Sequence, residues 1–425
     1  MKIFRSTYFY LFILTSFLNS ELAFSQSLTD YLEVAAENNP SLKASYQQYL
    51  SALEKVPQVG ALPDPQLTFG YFVSPVETRV GPQRARFSVQ QMLPWFGTLE
   101  ARKDAATLAA QVRFEEFVQA RNTLFFNIKQ AYFQLQNLQS DIALTGENIE
   151  IMESYERLAT QKYENDLASM VDILRVQMRL RSERNKLFSL KENLAAQRAV
   201  FNKLLNREAD EVVNLPPDIS ASLIATDSAD WRAQMLSENP DMRVLQAEAN
   251  LLKENEKLAD LSGKPNLGVG LDYAIVGQRN EVELTNNGQD IIMPMVSLSI
   301  PFLNRGKYQA ARHEVQLQRE ENILAKQARE NELLSNLSLA VRDHEVALDR
   351  VRLFEQQIEA ARQAISILNS AYESTSEDFE DVLEFQQQLL TYRMSLNEAR
   401  TQALIAQAKI EELTAQEVLD LTNED

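Results

Sequence analysis

Two stretches of the chain carry the beginnings of a zinc-hydrolase helix. His313-Glu314-Val315-Gln316-Leu317 and His344-Glu345-Val346-Ala347-Leu348 each set a Glu directly after a His, but Leu stands in both where a second imidazole would complete the metal site. These two histidines are the only ones, and there is no Cys. Thiolate ligands, disulfides, Cys nucleophiles and a lipid-modified N-terminal Cys are therefore excluded. No phosphate loop or dinucleotide fingerprint appears. Carboxylates are plentiful, but they are spread through charged helical stretches. These residues point to no catalysis, no cofactor and no metal site. The formal charge of −18 argues against nucleic acid, which needs basic patches.

The N-terminus reads as an export signal. Lys2 and Arg5 precede an apolar run from Tyr8 to Leu18, too short to span a bilayer as a helix, and Ala23-Phe24-Ser25 supplies small residues for cleavage before Gln26. Residues 1–25 are thus a signal peptide, and a Cys-free exported chain suits the periplasm or outer membrane of a Gram-negative bacterium.

The elements that follow occur twice. Glu37-Asn38-Asn39-Pro40 and Ser237-Glu238-Asn239-Pro240 open two halves, each with a helix, a Pro-bounded β island and a long helical hairpin. The first repeat spans 26–205, with strands at about 65–73 and 84–93 and a hairpin tip near 165–170. A linker at 206–230, containing Pro216-Pro217, sits outside the helices near their middle. The second repeat spans 231–417, with strands at about 265–276 and 292–301 and a tip near 374–378; residues 418–425 form a tail. Apolar residues alternate along the islands: Leu67, Phe69, Tyr71 and Val73; Ala85, Phe87 and Val89; Leu267, Val269, Leu271, Tyr273 and Ile275; Val296, Leu298 and Ile300. One apolar and one polar face suits a membrane barrel, with a soluble sandwich as the other reading. Four strands cannot close a barrel, and open edges are not tolerated in lipid, so several chains must share one.

The helices predicted after each island are very long. From Thr98 to Asn165 there is no Pro, and Gly146 is the only Gly. At 1.5 Å per residue this reaches about 100 Å. Heptads run through Leu124, Ile128, Ala131, Leu135, Leu138 and Ile142, and through Ala347, Val351, Phe354, Ile358, Ala361, Ile365, Leu368 and Tyr372. Two shorter helices stacked end to end, Ser27 to Val56 with Ser169 to Leu205 and Asp230 to Ser262 with Asp378 to Glu417, match each long one.

On these features the chain resembles the TolC family of outer-membrane efflux proteins over essentially its whole mature length. The resemblance includes a doubled tip motif: Tyr163, Asp172-Ile173-Leu174 and Gln177 in the first half, Tyr372, Asp381-Val382-Leu383 and Gln386 in the second. It implies a mainly α fold with a small β part. It further implies that three chains share a 12-stranded transmembrane barrel and a coiled-coil tunnel, which narrows where a periplasmic adaptor and an inner-membrane pump dock. Asp381 and Glu384 match the acidic pair at the family's narrowest point, where three copies form a ring that favours cations; capping of a helix N-terminus is the other reading of Asp381. Asp172 reads as a cap or hairpin contact, with Arg175 a partner for a neighbouring chain. Tyr372 either latches the closed tip or packs in the heptad, and Tyr163 is its counterpart. The turns, with Asn165, Asp166, Ser169, Ser374, Ser376 and Asp378, are the adaptor-facing surface. Ser374-Thr375-Ser376-Glu377 lacks the Gly-x-Arg that many members have there, so a latch through that Arg is not carried over. Leu62-Pro63-Asp64-Pro65 and Gln91-Met92-Leu93-Pro94-Trp95-Phe96-Gly97 resemble the CusC/CzcC-like metal-exporter branch, while Trp95 and Phe96 also suit an interfacial aromatic belt. The function implied is the exit duct of a tripartite efflux system for small solutes such as heavy-metal cations or drugs. A periplasmic adaptor, a coiled-coil scaffold and an outer-membrane enzyme are the rivals.

Overall fold

A computed structural model describes residues 27–216, 228–280, 285–375 and 379–415, with the backbone alone at 228–230 and 373–375. The signal peptide, the tail from 418 and much of the linker lie outside the described residues. The chain is mainly helical. Helices α1 (Leu28–Asn38), α2 (Pro40–Leu53) and α3 (Lys55–Gly60) lead to strands β1 (Gln66–Thr78) and β2 (Gly81–Leu93), then to α4 (Thr98–Glu164) and α5 (Met170–Leu204). The second half repeats this order with α6 (Ser228–Glu238), α7 (Pro240–Ser262), β3 (Leu267–Val276), β4 (Ile291–Leu298), a short 3-10 turn, α8 (Arg305–Thr375) and α9 (Phe379–Thr414). None of the described helices is long and apolar enough to cross a membrane.

The four strands form one antiparallel sheet in the order β1-β2-β3-β4, so the β2–β3 pair joins the two halves. Register carries the alternation across the sheet: Leu67 lies opposite Val89 and Val89 opposite Leu271, while Phe69, Phe87 and Tyr273 form the next row. This apolar face is uncovered, with Val73 89% and Leu67 71% exposed. The opposite face is polar and holds an Arg86–Asp272 ion pair and a Gln90–Ser297 hydrogen bond of 3.0 Å. The first hairpin is longer than its alternation suggests. After a bulge between Tyr71 and Val76, pairing resumes and runs to Thr78 opposite Gly81, whose φ of 134° closes the turn. Pro75 and the polar residues around it hide this extension in the sequence. At the other end β4 stops at Leu298, short of 301, because Pro301 opens the 3-10 turn.

The helices leading into each island are broken rather than continuous. Proline disfavours α geometry in the residue before it, and Asn39 and Asn239 have extended ψ values of 120° and 128°. Each Asn then does two jobs. The Asn39 side-chain oxygen accepts from Leu42 N at 3.0 Å, capping α2, while its amide donates to the Leu204 carbonyl at 2.9 Å, satisfying the end of α5. Asn239 caps α7 through Asp241 N at 2.9 Å and donates to the Leu413 carbonyl of α9, also at 2.9 Å. The joint where two short helices meet end to end beside a long one is thus the same in both halves. Apolar residues close over each joint: Tyr31, Ala35 and Leu42 with α4 and Phe201, and Trp231, Met235 and Met242 with α8 and Ile410.

A third cluster sits at the tip, where Ile149, Met152 and Ala159 of α4 meet Ile173, Val176 and Leu180 of α5 and Tyr372, Phe379, Val382 and Leu383 of the second hairpin. Between the first cluster and this one the α4 seam departs from the heptad reading. Leu138 and Ile142 are half-buried, and the buried residues are Gln136, Asp141, Thr145 and Asn148. The reason is that α4 packs against both α5 and α9, so its inward face is not a single two-helix stripe.

Two outcomes follow from these contacts. Asn39→Ala and Asn239→Ala each remove a cap and orphan a carbonyl, and each should lower stability by about 1–3 kcal/mol, read as a fall in the thermal midpoint of the helical circular dichroism signal; an unchanged midpoint would mean that apolar packing alone holds the joint. Burial pushes the Asp141 carboxyl up to about 7 from 3.8, with Lys186 opposing and Glu398 adding. The folded chain therefore holds this proton more tightly than the unfolded chain. The stabilisation is complete below the unfolded value and is lost as pH rises through the folded one. The midpoint should fall between pH 5 and pH 8, and Asp141→Asn should flatten that slope; an equally steep slope in the variant would assign it elsewhere.

Candidate functional site at the hairpin tips

The α4–α5 turn is built by local chemistry. Asp166 adopts a left-handed φ of 58°, a conformation that short polar side chains tolerate. Ser169 caps α5 by accepting from Val171 N at 3.1 Å, and Asp172 reaches back to accept from Ser169 N at 3.2 Å. Asp172 is therefore a capping residue. Its other oxygen lies 3.6 Å from Arg175. Within the chain Arg175 also reaches the second hairpin: its other terminal nitrogen is 2.9 Å from Glu380 at the start of α9.

Tyr372 lies at the end of α8 and is 2% exposed. Its ring stacks on Phe379 with centroids 4.6 Å apart, and the Lys162 ammonium sits 3.9 Å from its ring centre while donating to its carbonyl. The phenol oxygen is buried with no hydrogen-bond partner. Burial pushes its pKa up, and the Asp172 carboxylate adds to this. The Tyr372 ring is thus packed within the cluster, and Lys162 and Arg175–Glu380 are among the polar contacts between the two hairpins.

The two copies of the tip motif are not equivalent. Tyr163 is 45% exposed, whereas Tyr372 is the centre of the cluster. Gln177 donates to Glu156 within the first hairpin at 2.9 Å, while Gln386 donates to Asn148 across the two hairpins at 3.2 Å.

Asp381 and Glu384 occupy the face of α9 opposite the buried Val382 and Leu383, and both are exposed. Three residues apart on a helix, they are neighbours. Glu384 accepts a hydrogen bond from Gln388 at 3.3 Å, and the neighbouring Glu380 takes the ion pair with Arg175. The first hairpin ends in an exposed apolar crown of Leu167, Met170 and Val171 beside Asn165, whose amide donates to the Gln161 carbonyl at 2.7 Å. Ser374 falls in the last turn of α8, its side chain undescribed, and Ser376 and Asp378 lie outside the described residues. Among the described residues no group of three or more His, Asp or Glu could hold a metal ion.

Sequence reasoning missed Lys162, Phe379 and Glu380. Phe379 begins a different helix from the one that carries Tyr372, so their spacing in the chain carries no signal, and neither does a Lys among many on a charged helix.

The sequence profile of the outer membrane efflux protein family matches residues 31–207 and 231–416. Among curated proteins, an uncharacterized protein of Haemophilus influenzae is 21% identical over 202 residues, which spans 47% of this chain and 44% of that protein. Among solved structures, the fold is similar to the outer membrane protein VceC of Vibrio cholerae, at a TM-score of 0.74 and 16% identity over 91% of this chain and 95% of that one. It is also similar to CusC, at 0.74 and 15% identity over 91% of each chain. The open state of the MtrE outer membrane channel of Neisseria gonorrhoeae matches at 0.72 and 15% identity, over 91% of this chain and 88% of that one. The chain belongs to the outer membrane efflux protein family.

Proposed function

We propose that this chain is one subunit of a homotrimeric outer-membrane channel, the passive exit duct of a tripartite efflux system. The observation that carries the reading is the sheet: four strands with an uncovered apolar face and two unpaired edges, mounted on two helical hairpins whose long helices have 67 and 71 residues. In lipid, edges must be closed by other strands, and three copies supply twelve. The apolar face then meets acyl chains, and the Arg86–Asp272 face lines the lumen. The hairpins extend about 100 Å into the periplasm. Their tips receive the adaptor of an inner-membrane pump, which supplies the energy; Asn165, Asp166 and Ser169 with the apolar crown form one half of that contact, and residues 374–378 the other.

The tip is also the gate. Asp381 and Glu384 are exposed, on the face of α9 away from the packed Val382 and Leu383, as residues facing an axial opening would be. Three copies place six carboxylates around it, a ring that attracts cations and repels anions. The exported material is a small solute, for which heavy-metal cations suit the ring's charge and drugs suit the family. In planar bilayers, Asp381→Asn with Glu384→Gln should raise single-channel conductance and weaken cation preference. A soluble monomeric protein, or one that never conducts even with both changes, would favour an adaptor or scaffold instead.

A further inference from the structure

We infer that the junction between sheet and helices is a collar for anionic phospholipid of the leaflet facing the periplasm; the inference rests on the channel reading above. The apolar half of the collar is a wedge at the exits of the two β islands. Trp95 and Phe96 follow β2, and the 3-10 turn after β4 holds Phe302 and Leu303. Phe96 is 86% and Leu303 74% exposed. One residue holds both exits at the same level: Asn266 accepts from Trp95 N at 3.3 Å through its side chain and from Ser299 N at 3.0 Å through its carbonyl. The wedge therefore continues the apolar face of the sheet, whose last row holds Leu93, Leu267 and Leu298.

The charged half lies next to the wedge. Arg102 and Lys103 of α4, Lys264 between α7 and β3, and Arg305 and Lys307 of α8 are all exposed. None of these cations belongs to an ion pair among the described residues; Lys307 lies only beside the Tyr308 ring, 5.6 Å from its centre. Several acids at this level are already engaged. Asp260 takes Arg312 at 3.5 Å, and Glu100 and Asp104 lie close enough to Lys257 to act on its charge, which leaves Glu54, beside Lys55, and Asp64. Nor do Arg305 and Lys307 serve their own helix. They stand in the first turn of α8, which has no acid, and a cation at a helix N-terminus opposes the macrodipole. Unpaired basic side chains gathered beside an apolar wedge, in a chain with a formal charge of −18, point to an anion supplied from outside.

The spacing fits a lipid surface. The polar layer of a bilayer is about 5–8 Å deep on each side of the hydrocarbon. With the Phe96 and Phe302 rings at the hydrocarbon edge, Arg305 and Lys307 lie within the first ~5 Å of α8, and Arg102 and Lys103 about 6–8 Å along α4. Those are the depths of lipid phosphates. Aromatic side chains favour that boundary, and Lys and Arg beside it attract anionic headgroups. Because the helices run into the periplasm, the leaflet concerned is the periplasmic one. The ligand is a glycerophospholipid with a net negative headgroup, such as phosphatidylglycerol.

The test reconstitutes the full chain in phosphatidylcholine vesicles that contain brominated phosphatidylglycerol or brominated phosphatidylcholine at the same mole fraction. Trp95 is the fluorescent probe. The other Trp, Trp231, is buried in the cluster that contains Leu333, 28 residues or about 42 Å along α8, beyond the reach of bromine. Quenching of Trp95 should show phosphatidylglycerol favoured at least fivefold, the equivalent of about 1 kcal/mol and the attraction expected of one basic side chain. High salt should erase the preference. Arg102→Gln, Lys103→Gln, Arg305→Gln and Lys307→Gln together should bring the ratio to about one and leave quenching by brominated phosphatidylcholine unchanged. Equal quenching by the two lipids in wild type, or a preference that survives salt or the substitutions, would overturn the collar. Loss of trimer in the variant would also overturn it, by assigning the cations to acids of a neighbouring copy. A Trp95 that neither lipid quenches would put the junction outside the membrane and overturn the channel reading as well, whereas loss of the preference alone would leave that reading intact.

Discussion

A strand with an unpaired edge carries a row of N–H and C=O groups that must find partners, and lipid offers none. The sheet described above has two such edges, on β1 and β4, with a continuous apolar face between them. Every larger feature of the proposed assembly follows from satisfying those groups. Neighbouring copies must supply the missing strands, so the helical hairpins beneath each sheet are brought into a ring. The β2–β3 pairing sets the two hairpins of one chain side by side, which is why α4 and α9 share an interface rather than forming separate arms.

Within the chain, length is matched by repeating one device. A helix of 67 or 71 residues is flanked by shorter helices that meet at an Asn-Pro joint. Proline ends one helix and starts the next, and the Asn ties the new start to the end of the helix arriving from the tip. The apolar clusters at the two joints place Tyr31 opposite the role of Trp231, and Leu42 opposite that of Met242. The internal repeat visible in the sequence is therefore the repetition of a structural joint, and its punctuation is its mechanism.

Much of this was legible beforehand because it rests on local rules. Period-two alternation marks the strands, the absence of Pro and Gly marks the long helices, and Asn-Pro marks the opening of each half, but the helix break and joint that Asn-Pro makes there are shown only by the structure. What was not legible depends on which faces meet. The bulge after Tyr71 extends the first hairpin through a stretch that reads as loop. Asp141 and Thr145 are buried, in place of Leu138 and Ile142, because α4 serves two partners. At the tip, Tyr163 and Tyr372 stand in identical motifs, yet one is exposed and the other buried; the difference arises from the packing of the second hairpin over the first. Arg175 is similar: its partner Glu380 is far away in sequence, and only the fold brings them together.

The shared barrel is the central claim, and the absence of Cys makes it directly testable. Ile292→Cys on β4 would be combined in turn with Leu67→Cys, Phe69→Cys or Tyr71→Cys on β1, and the protein oxidised in outer-membrane vesicles. The account predicts that at least one pairing yields cross-linked species ending at a covalent trimer, while each single variant does not. Monomer alone in every pairing, or a ladder continuing beyond three, would contradict it.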